Sequence, residues 1–129
     1  YLRTTVENAK RDGFTVTMFS RKRYIPELSS RNKNVRAFGE RVAKNSPIQG
    51  SAADIIKIAM IDVSRALRES GLDARLILQV HDELIVECAE RDAERASAIL
   101  KESMENAAET AVRLCAEVST GRNWLEAKD

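Results

Sequence analysis

Two apolar runs, separated by a short polar break, dominate the middle of the chain. Residues 76–80 read Leu-Ile-Leu-Gln-Val and residues 84–86 read Leu-Ile-Val, with His81-Asp82-Glu83 between them. Short aliphatic and β-branched runs bounded by turn-forming residues are typical of strands. The pattern predicts an antiparallel hairpin whose strands are Arg75–Val80 and Leu84–Cys88 and whose tip is acidic.

Helical periodicity occupies most of the remaining chain. Gly13 and Gly71 are placed where helices should end, because glycine readily adopts the left-handed conformation that follows a last helical residue. Apolar residues recurring three and four positions apart predict the helices. Their approximate bounds are 1–11, 33–44, 47–70 and 92–110.

The junction between the two central helices has its own signal. Ser46 suits a helix N-cap, Pro47 suits the first helical position, and Gln49 completes a capping box. We therefore expect one helix to end and the next to begin at this point. The buried stripe of the second helix is predicted to contain Ala52, Ile56, Ala59, Met60, Val63 and Leu67.

Two further strands are predicted outside the central hairpin. They are Thr15–Phe19, followed by a basic turn at residues 20–23, and Leu114–Val118 near the end of the chain. Strands and helices are intermixed without repeats, so the fold class is α+β, with an antiparallel acidic hairpin packed against long helices. The 129 residues suit one domain.

Composition narrows the setting. No run approaches the length of a membrane span, so no membrane partner is expected. Cys88 and Cys115 lie in apolar contexts and are predicted to be free and buried, which fits a reducing cytoplasm. Residues 1–60 contain 12 Lys and Arg against 5 Asp and Glu, whereas residues 61–129 contain 9 against 15. This asymmetry indicates that the first half meets a polyanion, although solvated helix faces would give the same count.

The acidic turn is the main candidate for chemistry. Adjacent carboxylates at Asp82 and Glu83 repel each other unless a cation or a basic group lies between them. Magnesium binds carboxylate oxygens and retains substrate phosphates as further ligands, so a Mg²⁺-dependent phosphoryl-transfer site is one interpretation. A solvated hairpin turn is the other. His81, the only histidine, could be a general base, a metal ligand or an ordinary turn residue.

Five elements in order resemble family A DNA polymerases, the DNA polymerase I-like family, over essentially the whole chain. The run Val80–Leu84 is similar to motif C of that family, and Pro47–Asp54 is similar to the helix that precedes it. Ser51 stands where the family commonly has Thr, Arg113 where bacterial relatives often have Pro, and Ser119 where Gly is usual. The other matching elements are Arg21–Pro26, the residues Glu40, Arg41 and Asn45, and Gly121–Trp124.

The resemblance implies part of a polymerase palm that acts by a two-metal mechanism. Asp82 would be a ligand of the two Mg²⁺ ions, and Glu83 would support it near the metal or the primer end. No motif A is found in the sequence. We therefore expect residues 1–129 to be the C-terminal part of the palm, with N-terminal parts absent, inactive when isolated and prone to self-association through an exposed sheet edge.

The implied partners are primer-template DNA and deoxynucleoside triphosphates, the latter bound through the absent parts. Arg41, Asn45 and Gln49 resemble residues that face the minor groove near the primer terminus, where every correct pair presents acceptors. His81 resembles a residue that lies close to the terminal nucleotide of the primer. Basic residues of the first half would contact phosphates without reading sequence. They are Arg21, Lys22, Arg23, Arg31, Lys33 and Arg36.

Two alternatives remain open. A palm-derived module could bind DNA without catalysis and leave Asp82 and Glu83 unused. A different Mg²⁺-dependent phosphotransferase or nuclease would need further carboxylates in this chain, for which Asp54 and Asp62 are the nearest candidates.

Overall fold

The computed structural model describes residues 1–110 and 113–128, and the chain divides into two compact units, Tyr1–Asp54 and Ile55–Asp129. Helices and two small antiparallel hairpins make up the described residues, so the predicted α+β class is confirmed. In chain order the main elements are α1 (Leu2–Asp12), β1 (Phe14–Val16), β2 (Lys22–Tyr24), α2 (Lys33–Ser70), β3 (Ala74–Val80), β4 (Glu83–Cys88), α3 (Ala93–Glu105) and α4 (Trp124–Lys128).

The Tyr1–Asp54 unit begins with α1, which ends as predicted at Gly13, in the left-handed conformation with φ of 81°. The strand predicted at Thr15–Phe19 is shorter and starts earlier, at Phe14. It pairs with β2, part of which was predicted as a turn. Each strand has only three residues, too few for a period-two pattern to define the hairpin. The buried apolar residues of this unit are Val6, Ala9, Ile25, Leu28 and Ala43.

The predicted break at Pro47 is wrong, because α2 runs without interruption from Lys33 to Ser70 with Pro47 inside it. Proline lacks the N–H that would bond to the carbonyl four residues earlier, but a long helix can tolerate that single loss when other contacts support it. Ser46 does not cap a helix. Its Oγ instead accepts a hydrogen bond from Nη1 of Arg23, at 3.1 Å.

The Ile55–Asp129 unit holds the second hairpin, where β3 and β4 pair antiparallel with a bulge between Leu76 and Leu78. Both strands agree with the prediction to within one residue. The hairpin packs against the C-terminal half of α2 and against α3 through one apolar cluster. The buried members of that cluster are Ala59, Val63, Leu67, Leu84, Ala96 and Ala107.

The end of the chain departs from prediction. Helix α3 ends at Glu105 rather than near Thr110. Residues Leu114–Val118 alternate between half-buried and exposed, as a strand would, but they form no strand. A strand requires a partner ladder, and here the Ala116 N–H donates to a carboxylate oxygen of Glu105 at 2.9 Å.

Two smaller expectations can also be compared with the structure. Cys88 and Cys115 are both free, as predicted, but Cys88 is only half-buried and Cys115 is exposed, so the prediction that both are buried is wrong. Among the described residues, no helix is both long enough and apolar enough to cross a membrane.

Candidate active site

The acidic turn lies at the tip of the second hairpin. Val80 pairs with Glu83, which leaves His81 and Asp82 as the two central residues of a tight turn. His81 has φ of 53°, whereas Asp82 does not have positive φ. A positive first and a negative second central φ is the sign pattern of a type II′ turn, in which glycine is the usual first residue. A histidine in that position is conformationally strained, and the strain lies beside the carboxylates at which the sequence predicts a metal site.

A side-chain contact braces this turn. The Gln79 amide nitrogen donates to the backbone carbonyl oxygen of His81, two residues further along the chain. The bond ties the end of β3 to the peptide group that precedes Asp82. Gln79 therefore restrains the orientation of the turn in addition to the pairing of the strands.

The two carboxylates of the turn are open to solvent. Asp82 and Glu83 are exposed, and neither makes an ion pair within residues 1–110 and 113–128. Residue 82 is therefore not buried against a basic side chain, an arrangement that would have removed it from metal chemistry. Two unpaired, adjacent carboxylates fit a hard divalent cation. Over the same residues, no three His, Cys, Asp or Glu side chains come together, so the set of ligands is incomplete.

Three predicted DNA-contacting residues share one face of α2. Arg41, Asn45 and Gln49 are spaced four apart on a continuous helix, and all three are exposed. The continuity of the helix excludes the capping-box role for Gln49. Gln49 also does not head the buried stripe, because the next predicted member of that stripe, Ala52, is exposed as well. The guanidinium of Arg41 lies 5.9 Å from the ring centre of Phe38, which is also exposed.

Two of the basic candidates, Arg36 and Arg21, already make local hydrogen bonds. Arg36 donates from Nη1 to the carbonyl oxygens of Ser30 and Arg31, at 3.0 and 3.2 Å. Arg21 donates from Nε to Asp54 at 2.7 Å, with its side chain about half exposed. A phosphate contact by Arg21 or Arg36 stays a prediction.

The predicted residues thus fall into two groups. His81, Asp82 and Glu83 meet at one turn in the Ile55–Asp129 unit, whereas the helix face and the basic residues belong to the Tyr1–Asp54 unit. Asp54 is buried and is hydrogen-bonded to residues of its own unit. The carboxylate oxygen Oδ1 of Asp62 lies 4.0 Å from Nη1 of Arg65. Neither belongs to a carboxylate cluster within the part of the chain that the structure describes, so this part offers no support for a different metal-dependent enzyme.

Sequence reasoning missed the hydrogen-bonded role of Asp54. Its carboxylate binds Thr17 and Arg21, which precede it by 37 and 33 residues. A contact between residues so far apart leaves no periodic signal in one sequence. The predicted buried stripe of the helix does not include position 54, so the sequence carried no sign that this aspartate is buried.

Comparison with known proteins gives a consistent result. The model of the family described as DNA polymerase family A matches residues 1–126. DNA polymerase I of Caldicellulosiruptor bescii is 50% identical over 128 residues, which is 99% of this chain and 15% of that protein. DNA polymerase I of Mycobacterium tuberculosis is 52% identical over 124 residues, 96% of this chain and 14% of that protein.

A solved structure agrees in fold. The POL domain of Pol1 from M. smegmatis, in complex with DNA primer-template and dNTP, is 48% identical and superimposes with a TM-score of 0.95. The match covers 100% of this chain and 23% of that one. The chain therefore spans about a seventh of the length of the curated relatives that it matches.

Proposed function

The chain belongs to DNA polymerase family A, and from that premise we propose that it is the C-terminal part of the palm of a DNA-directed DNA polymerase. The complete product of the gene that encodes it, called here the complete gene product, would perform template-directed nucleotidyl transfer on primer-template DNA in the cytoplasm. The observation that carries the proposal is the exposed carboxylate of Asp82 at the tip of the second hairpin, which has no ion-pair partner among the residues that the structure describes.

Asp82 is the residue proposed to hold a divalent metal ion, and Mg²⁺ is the ion that its hard oxygen ligands favour. When bound, such ions lower the pKa of the primer 3′-hydroxyl and neutralise charge on the triphosphate. Asp82 would supply one anionic ligand to this site. Glu83 starts β4 and would add negative charge beside it, near the metal or the primer end.

His81 and Gln79 would keep Asp82 directed outward. The left-handed backbone of His81 and the amide bond from Gln79 set the path of the peptide that leads into Asp82. A carboxylate that is held in place before a cation arrives loses less conformational entropy on binding it. The exposed imidazole of His81 is proposed to lie against the terminal nucleotide of the primer.

The exposed face of α2 is proposed to check the geometry of the newly formed base pair. Arg41 and the amides of Asn45 and Gln49 are hydrogen-bond donors, and neither amide has a protein partner within the described residues. Purine N3 and pyrimidine O2 present acceptors at similar minor-groove positions in all correct pairs. Donors at fixed spacing can therefore accept every correct pair and lose contacts to a mismatched one.

Arg36 and Arg21 are the basic residues proposed to meet backbone phosphates. Such contacts would hold the duplex without reading its sequence, and each neutralised phosphate would steepen the dependence of affinity on salt. The nucleotide itself would be bound mainly by residues outside this chain. Self-association of the isolated chain stays a prediction, to which exposed Ile77 and Leu78 lend support.

Asp82→Ala in the complete gene product tests the proposal. We expect single-nucleotide incorporation to fall by about 10³-fold or more, as for loss of a metal ligand that stabilises the transition state, with primer-template affinity retained. Glu87→Gln is the control, because Glu87 is an exposed carboxylate on β4, the strand that follows the turn, but lies away from the turn itself. Near-normal incorporation by Asp82→Ala would refute the assignment.

Two further outcomes separate the alternatives. Residues 1–129 purified alone should give no template-dependent incorporation, because the described part of the chain holds no complete metal site. If the complete gene product binds primer-template DNA but incorporates no nucleotide under any divalent metal, the chain is instead a non-catalytic DNA-binding module.

A further inference from the structure

The first hairpin, β1–β2 with its connecting residues 17–21, is hydrogen-bonded to α2 on both sides of Pro47. Before the proline, Arg23 Nη1 donates to Ser46 Oγ at 3.1 Å. After it, the contacts involve Gly50, Ser51 and Asp54. All of these residues belong to the Tyr1–Asp54 unit. The hairpin therefore spans the point in the helix where Pro47 has no backbone N–H to donate to the carbonyl four residues earlier.

The strongest contacts are those to Asp54, whose side chain is about nine-tenths buried. Its two carboxylate oxygens accept from Arg21 Nε at 2.7 Å and from Thr17 Oγ1 at 2.6 Å. Arg21 also donates from Nη2 to the carbonyl oxygen of Gly50 at 3.3 Å. Charge-assisted bonds of this length are roughly twice as strong as neutral ones.

Ser51 joins the proline itself to the hairpin. Its hydroxyl donates to the Pro47 carbonyl oxygen at 2.5 Å and accepts from the backbone N–H of Met18 at 2.9 Å. A serine that bonds back to the carbonyl four residues earlier tends to bend a helix. Any bending of α2 at Pro47 would therefore be coupled to the position of the hairpin.

The minor-groove face proposed above crosses the same point. Asn45 precedes Pro47 by two residues and Gln49 follows it by two. The distance and angle between their amides depend on how the helix bends at the proline, because proline in a helix interior removes a bond and crowds the preceding turn. A helix free to flex there would present the two amides at variable spacing.

We propose that Asp54, Arg21 and Ser51 are positioning residues that splint α2 across Pro47 and thereby fix the spacing of Asn45 and Gln49 at the primer terminus. This inference rests on the proposed function. It assigns Arg21 a role that does not require contact with a phosphate. It also gives a purpose to a buried aspartate that no part of the proposed catalysis uses.

The test compares extension of matched and mismatched primer ends by the complete gene product. Asp54→Asn keeps the shape and a bond to Thr17 but removes the charge that holds Arg21, whose half-exposed guanidinium can turn to water. We expect the ratio of kcat/KM for matched over mismatched ends to fall about tenfold, the effect of misplacing one hydrogen-bonded contact in the transition state.

Ser51 supplies a second pair of variants. Ser51→Ala removes the bonds to Met18 and Pro47 and should lower the ratio of matched to mismatched extension in the same way. Ser51→Thr keeps the hydroxyl and should leave the ratio near its wild-type value. Lys10→Gln is the matched control, because it breaks another ion pair to α2 in the same unit, Lys10–Glu40 at 2.7 Å, without spanning the proline.

The outcomes are distinct. An unchanged ratio in both Asp54→Asn and Ser51→Ala overturns the splint, and so does an equal fall in Lys10→Gln, which would reflect general loss of stability. If the wild-type product extends no primer, the proposed function fails. The ratio of Kd values for matched and mismatched duplexes then tests the splint by the same comparison.

Discussion

The two hairpins of this protein have similar turn conformations, but the charged residue in one turn is bonded within the protein and the charged residue in the other is exposed to solvent. Each contains a turn residue other than glycine with positive φ, Ser20 at 65° in the first hairpin and His81 at 53° in the second. In the first hairpin, the neighbouring Arg21 is bonded to a buried carboxylate. In the second, the neighbouring Asp82 is exposed and unpaired within the described residues.

The difference separates a charge that stabilises the protein structure from a charge that is available to bind a ligand. A charged side chain that is hydrogen-bonded inside the protein rigidifies the elements that it joins. Few of its hydrogen-bonding groups then remain to bind a ligand. A charge kept in solvent with its backbone restrained costs little while free, since two exposed carboxylates are well screened by water. It can then bind a cation with most of its interaction energy still available.

Gly50→Ala should produce the largest effect on stability, because it breaks the contact between the first hairpin and α2. An added Cβ would lie 2.7 Å from Cγ2 of Thr17, a β-branched side chain that is itself buried. Overpacking of this kind costs about 1–3 kcal/mol. Hydrogen exchange of the Met18 amide in the complete gene product should accelerate by roughly 5- to 150-fold.

Ala52→Ser is the control for Gly50→Ala, because Ala52 is exposed on the same helix. Exchange at Met18 should be nearly unchanged in that variant. If Gly50→Ala leaves the exchange rate of Met18 as it is, the close approach of hairpin and helix does not contribute to stability, and the contrast between the two hairpins is weaker than their bonding indicates.

His81→Gly is a smaller change with two readouts. Glycine adopts positive φ without the penalty that a Cβ imposes, so the second hairpin should gain about 0.5–1 kcal/mol, visible as slower exchange of the Glu83 amide, which closes the turn by pairing with Val80. Affinity for the primer end should nevertheless fall, because the imidazole is lost. Ser20→Gly should give the same gain in the first hairpin without that loss. Equal effects of both variants on DNA affinity would contradict the division of roles.

The second hairpin could be predicted from sequence because all of its determinants are local. Alternating apolar runs, a two-residue turn and the carboxylate at its tip lie within 15 consecutive residues of β3 and β4. The helix ends at Gly13 and Gly71 could be predicted for the same reason, because a glycine in the left-handed conformation ends a helix without help from distant residues. Local signals of this kind need no knowledge of what the element packs against.

The first hairpin could not be predicted in the same way, because its determinants are distant in sequence. Ser46, Pro47 and Gln49 have the residue types of a helix start, yet Arg23 binds Ser46 and the helix continues. Tertiary contacts here outweighed a local capping preference worth about 1 kcal/mol. The pairing of Arg21 with Asp54 likewise became visible only when the fold brought the two together.

The base of the second hairpin sharpens the contrast, because it is packed where the tip is open. Burial, and then the charges of Asp92 and Asp73, raise the pKa of the Cys88 thiol, so its reactive thiolate is scarce at neutral pH. Cys115 is exposed.

Iodoacetamide at pH 7.5 should therefore label Cys115 first, and labelling of Cys88 should increase as the pH rises above the ordinary thiol pKa of about 8.5. Asp92→Asn should accelerate labelling of Cys88, because it removes one of the charges that oppose ionisation of the thiol. Equal rates at both cysteines at pH 7.5 would mean that Cys88, at the base of the hairpin, is as accessible and as easily ionised as the exposed Cys115.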